Sequence, residues 1–258
     1  MEGLSVKSFA KMIDHTMLKP DATLSDLERA IEEYKRFGFA CLALSPYHAK
    51  IAATRFRGVR VCTVIAFPMG FSSARANEVL ARELLEAGVA ELDVVINIHA
   101  LKAGDREAVV EDLRAVVEVA KGYGAVVKGI IETGLLTDEE KAVASQLVVE
   151  AGAHFVKTCT GFLGGKATIH DVALIKRVVG DKAKIKASGG IRHAEDALAL
   201  IAAGASRIGT SAGPRIVEEF MELKRVSGAR GSSSPGSALL NLITQPQQTA
   251  GSYPHNHT

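Results

Sequence analysis

Lys157 is the residue of this sequence that most directly suggests covalent chemistry. It follows the apolar pair Phe155 and Val156 and precedes Thr158, so an amino group lies in a segment that is otherwise typical of a buried strand. An unperturbed lysine has a pKa of about 10.4 and is a poor nucleophile near neutral pH, but burial and a nearby cation lower this pKa by several units. The neutral amine can attack a carbonyl and form a Schiff base. The alternative is a lysine at a strand end whose flexible stem reaches solvent.

Three further charged residues lie in short apolar segments of the same kind. They are Asp93, Lys128 and Lys186, each in a separate segment. Side chains alternate along a strand, so Lys186 shares a face with Lys184, which lies nearer the start of its strand and is expected to be solvated. Lysines near the ends of neighbouring strands, with a carboxylate close by, favour a functional site in which each charge changes the pKa of the others. The alternative interpretation is that each lysine is structural.

Two glycine-rich turns offer places where a phosphate could bind. The sequence SGGIR occupies residues 188–192, and IGTSAG occupies residues 208–213. Glycines let backbone N–H groups approach an anion at the start of a helix, although glycine also forms tight turns without any ligand. A third segment, GFLGGKAT, does not match the nucleotide-binding P-loop, because Ala167 follows Lys166 where a hydroxyl is required. We therefore expect the first two turns to hold a phosphate.

A regular alternation of apolar runs and helical patterns carries all of these residues. After the first run, for example, Leu24, Leu27 and Ile31 recur at helical spacing, with Thr23 as the cap and Gly38 as the stop. The apolar runs are IDHTML (13–18), FACLALS (39–45), VRVCTVIAFP (59–68), AELDVVINI (90–98), AVVKGIIETG (125–134), AHFVKTCTGF (153–162), AKIKASGGI (183–191) and SRIGTS (206–211).

Eight strands that alternate with eight helices predict a parallel sheet with right-handed crossovers. We interpret it as a closed (β/α)8 TIM barrel of the α/β class over residues 1–226, with a short N-terminal helix. The alternative is a doubly wound open sheet, but the first strand is not followed by GxGxxG and no chain is left for a second domain. Residues 227–258 are rich in Ser, Gly, Pro and Gln, and we expect a mobile C-terminal tail there. In a barrel, the active site lies at the carboxyl ends of the strands.

The composition argues against several other functions. A formal net charge of +2, with 47% hydrophobic and 23% charged residues, does not indicate a nucleic-acid partner, and no apolar run is long enough to cross a membrane. The three cysteines form no CxxC pair, and His15, His154 and His170 lack metal-ligand spacing, so we expect neither disulfides nor a zinc site. These features predict a cytoplasmic protein that uses no metal and no cofactor.

Five segments of the chain are specific in combination. They are IDHTMLKP (13–20), ELDVVINIHALKAGD (91–105), VKGIIETGLL (127–136), FVKTCTGF (155–162) and KASGGIRHAEDAL (186–198). In this order they resemble deoxyribose-phosphate aldolase, and the resemblance runs over residues 4–225. It implies a metal-independent, class I barrel aldolase of deoxyribonucleotide and carbohydrate breakdown. Such an enzyme cleaves 2-deoxy-D-ribose 5-phosphate reversibly to acetaldehyde and D-glyceraldehyde 3-phosphate.

The resemblance also implies a role for each matching residue. Lys157 matches the Schiff-base lysine of the family, Lys186 its second lysine and Asp93 its proton-relay aspartate. A larger set matches residues that surround the relay, contact the substrate or form the phosphate loops. This set comprises Asp14, Thr16, Lys128, Thr158, Gly161, Gly189, Gly190, Gly209, Thr210 and Ser211.

Two positions depart from the family pattern. Phe162 stands where some members have a basic residue, and the chain does not end in the tyrosine that certain members insert into the active site, although Tyr253 lies near its end. Two other functions also stay open. One is another phosphosugar barrel, an isomerase or synthase in which Lys157 is only a cation for an enolate. The other is a noncatalytic phosphometabolite-binding protein. In each case the partner is a small phosphosugar, and a homodimer or a homotetramer stays open.

Overall fold

The strands of the computed structural model, which describes residues 4–230, form one closed sheet. Neighbouring strands are all parallel, and the first strand also pairs with the last. The predicted (β/α)8 barrel is therefore confirmed, and the open sheet is excluded. The strands are β1 (Ile13–Met17), β2 (Cys41–Leu44), β3 (Val61–Ile65), β4 (Glu91–Val95), β5 (Val126–Ile130), β6 (Phe155–Lys157), β7 (Lys184–Ser188) and β8 (Arg207–Thr210).

Helices lie between successive strands and follow the last one. The predicted short N-terminal helix is present before β1. The helices are α1 (Val6–Ala10), α2 (Leu24–Phe37), α3 (Pro46–Arg55), α4 (Ala74–Glu86), α5 (Ile98–Lys102), α6 (Arg106–Lys121), α7 (Asp138–Glu150), α8 (Ile169–Val179), α9 (Ala194–Ala202) and α10 (Gly213–Arg230), and a 3-10 turn covers Thr133–Leu135.

The ends of α2 show how local sequence sets an element. Thr23 Oγ1 accepts a hydrogen bond from the backbone N–H of Asp26, and the Asp26 carboxylate accepts one from the backbone N–H of Thr23. This reciprocal capping box satisfies N–H groups that the first turn leaves free. At the other end Gly38 adopts φ 70°, a left-handed conformation that glycine takes without a steric penalty. The predicted cap and stop are both confirmed.

The strands are shorter than the predicted apolar runs, and two of them show the cause. The fourth strand ends at Val95, and the predicted end of the run at residue 98 belongs to α5, because Asn97 Oδ1 accepts a hydrogen bond from Ala100 N–H and starts a helix. The sixth strand ends at Lys157. Beyond it, the backbone N–H of Thr160 donates a hydrogen bond to Glu132 Oε2 at 2.9 Å and not to a neighbouring strand. The short helix and the short strand both leave more loop at the carboxyl end of the barrel.

The two faces of each strand meet different surroundings. On β4, Leu92 and Val94 lie in the apolar core between the strands and the helices. Glu91 and Asp93 alternate with them, and they are also fully buried. Because the residues that contact Asp93 come from strands on several sides of the barrel, this second face points into the barrel interior. The interior is therefore lined with charged groups.

The end of the chain lies outside this description. Helix α10 continues to Arg230, four residues past the predicted domain boundary at 226. The remainder of the predicted tail, 231–258, lies outside the described residues, as do residues 1–3. Within residues 4–230, no helix is long and apolar enough to span a membrane.

Candidate active site

Lys157 ends β6 and lines a cavity at the carboxyl ends of the strands. Its side chain is buried, and its Nζ lies 2.8 Å from Asp93 Oδ2. The lysine is therefore not the solvated strand-end residue of the alternative interpretation. An amine in this position can meet a small molecule in the cavity while most of its stem stays packed.

Asp93 connects three lysines. Its Oδ2 accepts hydrogen bonds from Lys157 Nζ at 2.8 Å and from Lys186 Nζ at 2.7 Å, and its Oδ1 accepts one from Lys128 Nζ at 2.7 Å. The strand register explains this arrangement, since Lys157 lies directly beside Lys186 and Asp93 directly beside Lys128. Lys184 is exposed at the start of β7, as expected.

Burial lowers the pKa of Lys157 below its usual value. The Asp93 carboxylate acts in the opposite direction, and the Lys186 ammonium lowers the pKa further. For Lys186, burial alone would also lower the pKa, but the carboxylates of Asp14 and Asp93 outweigh burial and raise it. The pKa shifts of these two neighbouring lysines thus have opposite signs, and of the two only Lys157 is shifted toward the neutral amine.

The interior carboxylates are held in the ionised form. Burial alone would raise the pKa of Asp93, but the ammonium groups of Lys128, Lys157 and Lys186 keep it well below its usual range. Asp14 is similar, since its Oδ2 lies 2.6 Å from Lys186 Nζ and the neighbouring cations lower its pKa despite burial. An ionised Asp93 can accept a proton from either catalytic candidate lysine.

The cavity has a volume of about 580 Å³, which is a typical size for a small-molecule site. It brings together residues from β1 and from the loops after β6, β7 and β8. Of the candidate residues, those that line it are Thr16, Lys157, Gly161, Gly189, Gly190, Gly209, Thr210 and Ser211.

Close packing explains why glycines are needed in these loops. Gly189 has φ 107°, and a Cβ there would lie 2.5 Å from Cys159 Sγ. At Gly209 a Cβ would lie 2.8 Å from the Cβ of Ser188 and 3.0 Å from Lys186 Cε. A side chain at Gly209 would displace Lys186 and Ser188, and one at Gly189 would displace Cys159. The loops therefore present backbone to the cavity, as an anion site requires.

A model of the DeoC/LacD family aldolases matches residues 8–218, which is most of the chain. The chain belongs to this aldolase family. The matched range contains every strand of the barrel and every candidate site residue.

Curated relatives and a solved structure agree with this family. The chain is 49% identical to a deoxyribose-phosphate aldolase of Thermoanaerobacter sp. (strain X514) over 84% of this chain and 99% of the relative. It is 51% identical to one from Geobacillus sp. (strain WCH70), over 82% and 95%. The tetrameric deoxyribose phosphate aldolase of Aeropyrum pernix superposes with a TM-score of 0.79 at 36% identity, covering 85% and 93%. The expected aldolase family is confirmed.

Five of the candidate residues are not part of the cavity lining: Asp14, Asp93, Lys128, Thr158 and Lys186. Thr158 is fully buried, and its hydroxyl donates to the Ser188 carbonyl at 3.0 Å and accepts from Ser188 N–H at 3.0 Å. It therefore joins β6 to β7. Lys128 is fully enclosed, with its Nζ between Asp93 and Glu91, each at 2.7 Å. Asp14 likewise lies beneath the cavity and touches Lys186.

Phe162, expected where some family members have a basic residue, lines the cavity and is 45% exposed. Its ring packs edge-on against Phe67, with 5.1 Å between centroids. Phe67 in turn lies 6.0 Å from Lys157 Nζ. Phe162 thus lines the cavity after β6, and Phe67 packs behind it. Sequence reasoning did not single out Phe67, which lacks any motif and follows its strand by two residues.

Sequence reasoning also missed Glu91 and Arg207, the first residues of β4 and β8. Glu91 is fully buried, and the side chain of Arg207 is 18% exposed. Strand alternation was a usable signal, because Glu91 is two residues before Asp93 and therefore shares its face. Glu91 contacts Lys128, and Arg207 contacts Asp14.

Two groups of residues in the described part of the chain bring three potential metal ligands together: Cys41, Cys62 and Glu91, and Asp138, His170 and Asp171. A lysine already supplies a positive charge in each group. Lys128 Nζ lies 2.7 Å from Glu91 in the first, and Lys141 Nζ lies 2.7 Å from Asp171 in the second. We therefore assign no metal to either group.

Proposed function

We propose that this protein cleaves 2-deoxy-D-ribose 5-phosphate reversibly to acetaldehyde and D-glyceraldehyde 3-phosphate through a Schiff base on Lys157. One observation carries the proposal. Lys157 is the cavity-lining lysine whose pKa is lowered, and it shares one oxygen of Asp93 with a second lysine whose pKa is raised. Membership of the aldolase family and curated relatives of that name support the same substrate.

The neutral amine of Lys157 begins the reaction by attacking the substrate aldehyde carbon. The carbinolamine that forms loses its hydroxyl as water when Lys186 supplies a proton through Asp93 or a water molecule. The resulting iminium is an electron sink. The carbon–carbon bond breaks when the substrate hydroxyl gives up its proton to Asp93. Glyceraldehyde 3-phosphate leaves, and the electron pair of the broken bond forms an enamine on Lys157.

The enamine is then converted to acetaldehyde. A proton returned through the Asp93 and Lys186 pair reaches the enamine carbon and restores an iminium. Water adds to this iminium, and the proton that it releases returns to Lys186. The carbon–nitrogen bond then breaks to release acetaldehyde and free Lys157. The protons that Asp93 accepts are thus returned within one cycle, so the pair acts as a relay and not as a reagent.

Substrate position is set by the loops and by β1. Backbone N–H groups around Gly189, Gly190 and Gly209 would hold the phosphate, and Thr16, which lines the cavity, would contact a substrate hydroxyl. A phosphate held at one end fixes the distance of the aldehyde from Lys157. Asp14, Lys128 and Thr158 would act indirectly, by supporting Lys186, Asp93 and β7.

Trapping with borohydride tests the proposal directly. Incubation with deoxyribose 5-phosphate and borohydride, followed by peptide mapping, should place a mass increase on Lys157. Lys184→Met, which removes an exposed lysine of β7, is the matched control and should trap normally. Turnover without an adduct would favour the isomerase or synthase, and binding without acetaldehyde release would favour the noncatalytic protein. Activity should also survive exhaustive chelation, and its loss with recovery on adding one metal would contradict a class I mechanism.

The assembly and location of the enzyme are further parts of this proposal. We expect a homodimer or homotetramer, because the Aeropyrum pernix relative is described as tetrameric. Light scattering coupled to size-exclusion chromatography checks this expectation. We also expect a cytoplasmic location, supported by Cys41, Cys62 and Cys159, which are buried free thiols. Fractionation of the source cells checks that expectation.

A further inference from the structure

Charged side chains inside the barrel form a closed ring in which opposite charges alternate. Arg207 closes it, because its guanidinium pairs with Asp14 Oδ1 and its Nη2 lies 3.3 Å from Glu91 Oε1. Glu91 Oε2 lies 2.7 Å from Lys128 Nζ, which returns to Asp93. In order, the members of this ring are Asp93, Lys186, Asp14, Arg207, Glu91 and Lys128.

The ring is electrically balanced. It contains three carboxylates and three cations, so its formal charges sum to zero. Lys157 lies outside the ring. Among the described residues, it forms an ion pair with one ring member, Asp93. If Lys157 loses its proton, the ring keeps its neutrality, whereas loss of a proton from Lys128 or Lys186 would leave the buried ring with one more carboxylate than cations.

Together with Lys157, the ring reaches from the cavity to the opposite end of the barrel. Lys157 is the last residue of β6, at the cavity, whereas Glu91 and Arg207 are the first residues of β4 and β8. In a parallel barrel, first residues lie at the end opposite the active site. We propose that Glu91 and Arg207 are positioning residues that keep this ring neutral from the remote end, and thereby leave Lys157 as the amine that loses its proton. The inference rests on the proposed function for the use of that amine as a nucleophile.

Each positioning residue should act with its own sign. Without Arg207, Asp14 would interact more strongly with Lys186. Asp93 would then stabilise the ammonium form of Lys157, and the pKa of Lys157 would rise. Without the charge of Glu91, Lys128 would bind Asp93 alone, and Lys157 would release its proton more easily. A purely structural role predicts damage without this opposition of sign. A unit charge at about 10 Å in a protein interior corresponds to about one pKa unit.

The remaining groups that face the ring do not change these signs. Cys62 Sγ lies 3.2 Å from Asp93 Oδ1, and Cys41 Sγ lies 4.0 Å from Arg207 Nη1. Burial raises the pKa of Cys41, so its thiol stays neutral. Arg60 Nε lies 2.6 Å from Glu91 Oε1, but its side chain is 45% exposed, so water screens its charge.

Direct titration of Lys157 tests the inference without relying on turnover. Native protein is trace-acetylated with acetic anhydride between about pH 6 and 10, then denatured and labelled fully with the heavy reagent. The light-to-heavy ratio of the Lys157 peptide reports the fraction of neutral amine at each pH. The variants are Arg207→Met, Glu91→Gln and their double mutant, with Arg60→Met as control. Near-ultraviolet circular dichroism checks the fold of each.

The expected midpoints differ in direction. Arg207→Met should raise the Lys157 midpoint by about one pH unit and Glu91→Gln should lower it by about one, whereas the double mutant, neutral again, should lie within about 0.3 units of wild type. Arg60→Met should shift it by less than about 0.3 units. Unchanged midpoints, shifts of the same sign, a double mutant that does not return, or an equal shift in Arg60→Met would each overturn the inference. If Arg207→Met does not fold, an unshifted Glu91→Gln variant still overturns it.

The same protein samples separate this inference from the proposed function. If the midpoints move as expected but wild-type enzyme releases no acetaldehyde from deoxyribose 5-phosphate, the ring controls Lys157 and the aldolase assignment is wrong. If wild-type enzyme releases acetaldehyde and the midpoints do not move, the aldolase assignment stands and the role of Glu91 and Arg207 is wrong.

Discussion

The shell and the interior of the barrel are built from the same strands but from opposite chemistry. On β4, Leu92 and Val94 face the helices in the apolar core, and Glu91 and Asp93 face the ionic ring. Burial of apolar surface stabilises the shell without any requirement for exact partners. Buried ions need every partner, because an unpaired charge in the interior is strongly unfavourable. The shell therefore supplies stability, and the interior can be arranged for chemistry.

Cost and use of the buried charges are connected. A set of buried ion pairs is often no more stable than apolar residues of the same volume, so stability alone does not account for the ring. The ring explains instead why two adjacent lysines have pKa values that move in opposite directions, one lowered and one raised. On β4, the residues that face the shell carry no group that titrates near neutral pH. The following changes test this division, from the largest expected effect to the smallest.

Replacement of the proposed nucleophile should separate activity from stability most completely. Lys157→Met should lower acetaldehyde release on the order of 10⁴-fold or more, because Lys157 is the cavity lysine that contacts Asp93. The Lys19 side chain also lines the cavity, but it comes from the rim after β1. Urea unfolding should show no loss of stability, since the ring stays balanced. A loss above about 2 kcal/mol would mean that Lys157 is structural.

Removal of a ring cation should damage both properties. Lys186→Leu removes a buried cation that both Asp14 and Asp93 contact, and it should lower the free energy of unfolding by about 3–5 kcal/mol. It should also raise the pKa of Lys157, so imine formation shifts to alkaline pH and recovers partly there. Lys186→Arg keeps the charge and should retain part of the depression. Normal neutral-pH turnover in the leucine variant would make Lys186 a bystander.

Damage to the shell should affect stability alone. Leu92→Ala, next to Asp93 but on the opposite face, should lower the free energy of unfolding by about 2–5 kcal/mol, because it leaves a cavity in the apolar core. The pH midpoint of imine formation should stay unchanged. Denaturant unfolding and stopped-flow imine formation measure the two quantities on one sample. A shifted midpoint would show that shell packing also sets the position of the ring.

A smaller effect should appear in the pH dependence of stability. Because the pKa of Lys157 is lowered by folding, the unfolded chain binds more protons than the folded one between the folded pKa and about 10.4. Stability of the wild type relative to Lys157→Met should therefore rise with pH in this window, by about 1.4 kcal/mol for each pKa unit of lowering. A difference that falls with pH would give Lys157 the opposite shift.

Much of the site was predictable because local rules place its residues. Lys157, Asp93 and Lys186 were identified from charged residues inside apolar strands, and the glycine turns from their position after β7 and β8. The barrel was predictable for a similar reason, since alternation of strands and helices leaves few closed arrangements. Caps such as Thr23 and Gly38 depend on neighbours in sequence, so they too followed from the chain.

Other features could not be read from the chain. Thr158 is adjacent to Lys157, but the closeness of Ser188 turns its hydroxyl between strands and away from the cavity. Phe67 approaches Lys157 only because a loop of β3 and a loop of β6 meet above the barrel. Each depends on residues that are distant in sequence, and no local pattern reports such distances.

The amino-acid sequence by itself determined which strands carry charge, where the helices begin and which loops are made of glycine, because these depend on neighbours a few residues apart. Only the tertiary structure decided which charges meet. Asp14 and Arg207 are 193 residues apart in the chain, and their contact exists because β1 pairs with β8 when the sheet closes. Closure also removes water from the interior, and in that medium the same lysine type is shifted toward the neutral amine at Lys157 and toward the ammonium at Lys186.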